Sequence, residues 1–174
     1  MRNTDNKIIG KRIYLREMEE ADAQLIVIWR NDPDINKNMF KNKKLTLEDH
    51  LIWFRNRSNN RYDYMICDIN TNLAIGTVNF TVQDSFAESG RLLGNKNYLG
   101  KGYAKEAAFL WLWYGFEKLK LEKIIAKVRK ENVTNIELNK KLGFKIVSEF
   151  QHRDSTYYIQ MELTKSEYTK NKEA

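Results

Sequence analysis

Apolar and polar positions along the chain change period several times, and each change marks an element. Ile13-Tyr14-Leu15-Arg16-Glu17-Met18 reads as a short strand, and residues 19–29 follow with apolar side chains at helical spacing. That helix must stop near Asn31-Asp32-Pro33, because proline cannot continue it. Residues 45–50 open a second helix, with Thr46 as N-cap, acids in its first turn, and Leu51, Trp53 and Phe54 facing inward. Residues 64–69 and 74–82 form a hairpin across Asn70-Thr71-Asn72, and residues 87–94 make a third strand. Residues 103–119 are apolar almost all round through Phe109, Leu110, Trp111, Leu112, Trp113 and Phe116, the pattern of a helix buried in a domain centre. A strand at 123–128, a shorter helix at 132–142 stopped by Gly143, and strands at 144–147 and 157–163 close the chain.

This order predicts an α+β fold: a mixed, mostly antiparallel sheet of six or seven strands with helices on both faces, in a single domain over residues 8–164. Residues 1–7 and 165–174 are expected to be flexible ends. The longest apolar run, 107–116, is too short for a bilayer, where about 18 residues are needed, so no membrane partner is expected. Without a leader pattern at its start, the chain reads as cytoplasmic. The single cysteine, Cys67, lies in an apolar strand and reads as a small core residue. Net charge is +7, but the lysines are dispersed and no arginine block appears. Attraction for an anionic small molecule therefore fits better than nucleic-acid binding.

The anion has an obvious seat. Asn97-Tyr98-Leu99-Gly100-Lys101-Gly102-Tyr103-Ala104-Lys105-Glu106 joins a strand to the long helix through two glycines, with Lys96, Lys101 and Lys105 around them. Free N–H groups and the helix dipole favour phosphate there. A nucleotide-hydrolase loop is excluded, since five residues separate Gly94 from Gly100 and no hydroxyl follows Lys101. A dinucleotide fingerprint is excluded as well, since Lys105 stands where a small residue must pack.

Ala87-Glu88-Ser89-Gly90, the glycine turn through Ala107, and Asn132 with Lys141-Leu142-Gly143-Phe144 together resemble the GNAT superfamily of N-acetyltransferases, in the subgroup of ribosomal-protein N-terminal, spermidine and amino-sugar acetyltransferases. The resemblance implies acetyl-CoA as cosubstrate and no metal. The pantetheine arm would lie along the backbone of Leu92, Leu93 and Gly94. The pyrophosphate would rest on the turn formed by Leu99, Gly100, Lys101, Gly102, Tyr103 and Ala104, with Asn132, Asn135 and Asn139 alongside. A homodimer is compatible with it.

An amine attacks a thioester only when neutral, so a proton acceptor is required. Glu88 is the candidate base, acting through water; the competing role is a surface carboxylate paired with Arg91. Glu106 reads as a helix-dipole partner instead. Many family members carry a tyrosine seven residues after the asparagine as acid for the thiolate; here that position is Asn139, which cannot give up a proton. A catalytically silent coenzyme A-binding module is therefore the alternative. Trp29, Arg30, His50 and Trp53 resemble the acceptor-binding pattern of the amino-sugar enzymes, which implies an amine acceptor: a small molecule, an amino sugar (nucleotide-linked included) or a protein N-terminus.

Overall fold

The computed structural model describes residues 7–39 and 43–173. Eight strands form one sheet: β1 (Ile8–Ile9), β2 (Ile13–Glu17), β3 (Arg61–Asp68), β4 (Ala74–Gln83), β5 (Phe86–Leu93), β6 (Lys123–Arg129), β7 (Lys145–Gln151) and β8 (Tyr157–Thr164). Their order is β1-β2-β3-β4-β5-β6-β8-β7. The α+β class and the mostly antiparallel sheet are as expected; the extra strand is β1, a two-residue piece pairing Ile8 with Leu15. Among the described residues only β5 and β6 run parallel, and a parallel neighbour demands a crossover, which the long helix supplies.

Among the described residues six α-helices flank the sheet: α1 (Ala23–Asn31), α2 (Pro33–Asn36), α3 (Leu47–Arg55), α4 (Tyr103–Trp113), α5 (Val133–Lys141) and α6 (Lys165–Glu173). Thr46 caps α3 through Asp49 N at 3.0 Å, and Asn132 caps α5 through Asn135 N at 3.2 Å. Gly143, at φ +97°, ends the α5 region in the left-handed conformation.

Strand alternation divides the core. Leu15, Ile66, Val78 and Phe80 face α4, while Tyr14, Met65 and Cys67 face α1 and α2 with Ile26, Trp29 and Ile35. Cys67 is a core residue, its thiol pushed up by burial. Trp111 anchors the first face, stacked on Phe80 at 4.4 Å and donating Nε1–H to Asn79 O at 3.1 Å. Full burial of one such side chain stabilises by about 2–3 kcal/mol.

Two expectations need correction. α4 is not buried all round: Trp111 and Leu112 are buried, but Phe109 is 49% exposed beneath the Lys105 ammonium. Helical geometry also changes at Tyr114, where a π-turn runs to Lys118, closed by Leu119 N donating to Tyr114 O. Residues 165–173, taken as part of a flexible end, form α6, in which Tyr168 stacks on Phe116 at 4.7 Å and Glu167 pairs with Lys145. The low apolar content of that segment hid the single aromatic that docks it. Residues 1–6, the rest of the expected flexible start, and residue 174 lie outside the described residues.

Candidate active site

A cavity of about 830 Å³ opens where β5 and β6 part. The two strands pair from Phe86↔Lys123 to Ser89↔Ala126 and no further, although β5 continues to Leu93 and β6 to Arg129. Gly94 N–H donates to Ile75 O, so in the β4–β5 ladder the even-numbered residues of β5 turn their backbone groups toward β4. Arg91 and Leu93 thus turn theirs toward β6, into the gap. Of the three residues expected to lie along the pantetheine arm, Leu93 turns its backbone groups to the gap, while Leu92 and Gly94 turn theirs toward β4. Leu92 lines the cavity and packs against the core cluster of Trp29, and Gly94 is close-packed: a Cβ on it would lie 2.0 Å from the Trp29 ring.

The gap leads toward the glycine turn. Gly100 and Gly102 stand at φ +71° and +82°, a conformation that L side chains rarely adopt. Gly102 is the N-cap of α4 and offers no side chain to its amides; the first ladder bond is Glu106 N to Gly102 O. Among the described residues, no N–H from Gly100 to Lys105 donates a hydrogen bond. Leu99 and Ala104 reach the cavity wall.

A clamp holds this turn in place. Glu106 accepts from Lys11 N at 2.8 Å, Arg12 N at 2.7 Å and Arg12 Nε at 2.8 Å. Arg12 also donates to Lys101 O at 2.9 Å and lies 4.2 Å over the Tyr103 ring. Burial pushes the Glu106 carboxyl up, but the Arg12 and Lys11 bonds outweigh it and hold it below its usual range. The structural role expected of Glu106 is thus larger than dipole pairing; Arg12 was not anticipated.

Arg91 is the second unanticipated residue. Its guanidinium donates to Asn135 Oδ1 at 2.6 Å and Asn139 Oδ1 at 3.3 Å, across the gap from β5 to α5. Burial pushes it down to about 10, so it remains a cation at neutral pH. It does not pair with Glu88. That carboxylate instead accepts from Lys127 Nζ at 2.7 Å. Asn132 spends its side-chain oxygen on the α5 cap, while Asn139 is buried with its amide against Met161.

The other half of the cavity lies between the sheet and α1–α3. Arg30, His50 and Trp53 line it together with Arg61, Asp63, Asn79 and Thr81. Trp29 does not: it is 6% exposed, in the core under Gly94, which corrects its assignment to the acceptor. His50 is 2% exposed with its ring 5.0 Å from that of Trp53, and neither ring nitrogen has a hydrogen-bond partner among the described residues. Burial first, and then the Arg30 and Arg57 charges, lower its pKa against the opposing pull of Asp63. Arg61 forks onto Asp63 at 2.7 and 3.2 Å. These partners escape sequence reading because no local motif joins β3, β4 and β6 to α1 and α3.

A family model described as acetyltransferase (GNAT) domain matches residues 12–145. An N-acetyltransferase of Bacillus licheniformis, p20, itself described as uncharacterized, is 33% identical over 144 residues, 77% of this chain and 79% of the relative. Among solved structures, apo FdhC, described as a nucleotide-linked sugar GNAT, superposes with a TM-score of 0.80 at 27% identity, over 95% of this chain and 94% of that one. Spermidine N-acetyltransferase from Vibrio cholerae, in complex with CoA and spermine, gives 0.81 at 21% identity, over 91% and 98%. Among the described residues, no helix is long and apolar enough to cross a membrane.

Proposed function

The chain belongs to the GNAT family of acetyltransferases, and from that premise we propose that it transfers an acetyl group from acetyl-CoA to a primary amine by direct attack in a ternary complex. One observation carries the reading: β5 and β6 separate into a gap that ends at a turn whose amides are unclaimed. The fit to coenzyme A is chemical as well as spatial. Leu93 and Arg91 offer backbone groups to an extended polar chain, and the Gly100–Lys105 amides at the head of an eleven-residue helix suit a pyrophosphate.

Acetyl-CoA supplies the thioester; the amine nitrogen bonds to its carbonyl carbon, the carbon–sulfur bond breaks, and the proton released from nitrogen balances the charge left on sulfur. Glu88 receives that proton through water, once substrate or water has opened its pair with Lys127. Leu93 N–H stabilises the developing oxyanion. The departing thiolate meets Arg91, held on Asn135 and Asn139. A thiol with a pKa of about 8.5 leaves readily near neutral pH when a cation faces it, without a proton donor. That relieves the objection raised by Asn139, which otherwise favours a silent coenzyme A-binding module.

The acceptor is a small amine, an amino sugar (nucleotide-linked included) or a protein N-terminus. Thiol release over a panel of such amines tests the reading. Turnover of at least one is expected, with kcat lowered about a hundredfold or more by Glu88→Gln. Stabilisation by acetyl-CoA without turnover of any amine would establish the silent module instead. Unchanged kcat in Glu88→Gln at every pH would remove Glu88 as base.

A further inference from the structure

We propose that Lys127 is a self-acetylation site: with acetyl-CoA bound and no acceptor present, its ε-amine takes the acetyl group of the coenzyme held by its own chain. This rests on the acetyl-transfer reading above, and the experiment below separates the two.

The β5–β6 pairing ends at Ser89↔Ala126, and Lys127 is the next residue of β6. It therefore stands where the strands part. Alternation along the strands decides which way it points. Ala126 and Val128 belong to the core cluster of Trp111, while Leu92 packs on the opposite face with the cluster of Trp29. Lys127 turns to that second face, and so does Glu88, four residues before Leu92. Their contact agrees: Lys127 Nζ donates to Glu88 Oε2 at 2.7 Å, and both residues line the cavity. An amine thus rests on the carboxylate that serves as base, on the side from which an acceptor arrives.

Among the described residues three lysines line this cavity, and the other two are placed differently. Lys96 lies between Asp32 and Asp34, at 2.8 Å from each, and Lys37 pairs with Asp34 at 3.8 Å. Neither stands on a strand that forms the gap. The guanidinium groups of Arg30, Arg61 and Arg91 stay charged and are not nucleophiles. The side chains of Lys127 and Glu88 are 31% and 48% exposed, and an ion pair this open to solvent is weak and separates readily. The flexible four-carbon stem of Lys127 then carries Nζ along the gap toward Leu93.

In the reaction, the Lys127 ammonium leaves one proton on Glu88. Its lone pair bonds to the thioester carbonyl carbon, the carbon–sulfur bond breaks with its electrons on the sulfur that faces Arg91, and the second proton passes from nitrogen to water. The amide formed carries no charge, so Glu88 loses its partner and the acceptor side loses a cation.

The test is mass spectrometry of the full chain incubated with acetyl-CoA and no amine. Acetylation of Lys127 is expected about tenfold or more faster than that of Lys118 and Lys120, which are exposed and outside the cavity. Excess CoA should suppress labelling of Lys127 and spare the other two, and the rate per chain should not change with protein concentration. Glu88→Gln should slow it about tenfold or more. Lys127→Arg, which retains a cation for Glu88, should leave the intact chain unlabelled on that time scale. S-acetyl-N-acetylcysteamine, a thioester without the nucleotide, should instead label Lys118 and Lys120 ahead of Lys127. Labelling of Lys127 no faster than of the exposed lysines, insensitive to CoA, rising with protein concentration, unchanged in Glu88→Gln or equally favoured with the small thioester overturns self-acetylation. Any of these results alongside turnover of an amine leaves acetyl transfer intact and removes only Lys127; the same result with no amine turned over rejects both. Rapid, CoA-sensitive labelling of Lys127 upholds self-acetylation even where no amine of the panel is turned over.

Discussion

Where β5 parts from β6, the features that suit the cofactor are main chain: the backbone of Leu93 in the gap, and beyond it the unclaimed amides of Gly100 to Lys105 at the head of α4. On the acceptor side it is walled by side chains drawn from α1, α3, β3, β4, β5 and β6. Main-chain recognition requires conformation, and conformation leaves a mark in sequence: two glycines at positive φ between a strand and a helix. Side-chain recognition requires only that distant residues meet, and nothing local records the meeting. Arg91 stands apart from this division as a charged side chain that crosses the gap to Asn135 and Asn139.

Arg91 is therefore the place to break the contrast. If the thiolate leaves against its guanidinium, Arg91→Met should lower kcat about a hundredfold, the scale seen on removing one preorganised charge-stabilising donor. The loss should be greatest with acyl donors whose thiols have high pKa and smallest with a more acidic thiol. Arg91→Lys should recover part of the rate. Equal loss for every leaving group would reduce Arg91 to a tie between β5 and α5, with no part in the departure of the thiolate.

Gly102 and Gly94 sharpen the contrast at a smaller scale, since the same substitution should act on different quantities. Gly102→Ala places a Cβ at φ +82° with its nearest neighbour 3.4 Å away, so the cost is conformational, about 1–2 kcal/mol. Relief by shifting the turn would misplace its amides, and the dissociation constant for CoA should rise about tenfold by calorimetry. Gly94→Ala drives a Cβ to 2.0 Å from the Trp29 ring, and the ring is core. Its effect should appear as lost thermal stability of about 1–3 kcal/mol, with CoA affinity little changed in the folded protein. A reversal of the two outcomes would mean that Gly94, not Gly102, is the cofactor's glycine.

The same division explains how much of the molecule could be read in advance. Element order, the glycine turn, the Thr46 cap and the Gly143 stop follow from local periods and backbone demands, and all appear. Trp29 and Arg30 are adjacent in sequence yet belong to core and cavity respectively, because successive helical residues point about 100° apart. Helical spacing alone did not say which of them met the cavity. Arg12, 94 residues from Glu106, illustrates the remainder: its role exists only once β2 and α4 are neighbours. α6 was missed for the reverse reason, since a polar segment docks through Tyr168 alone among its aromatics.

The smallest effect expected is on the stability of the ligand-free protein in mild acid, and it isolates the side-chain half. Burial and the Arg30 charge hold the His50 pKa below its ordinary value, so the unfolded chain takes up a proton more readily than the folded one. Stability then rises with pH through this group: its contribution is complete above the unfolded-state value of about 6.5 and is lost as pH falls below it. Melting temperature measured between pH 7.5 and pH 5.5 should therefore fall more in the parent protein than in His50→Gln, by a few degrees at most. An acid loss identical in both proteins would mean that His50 takes up its proton as readily in the folded chain as in the unfolded one, and burial would then not set its charge.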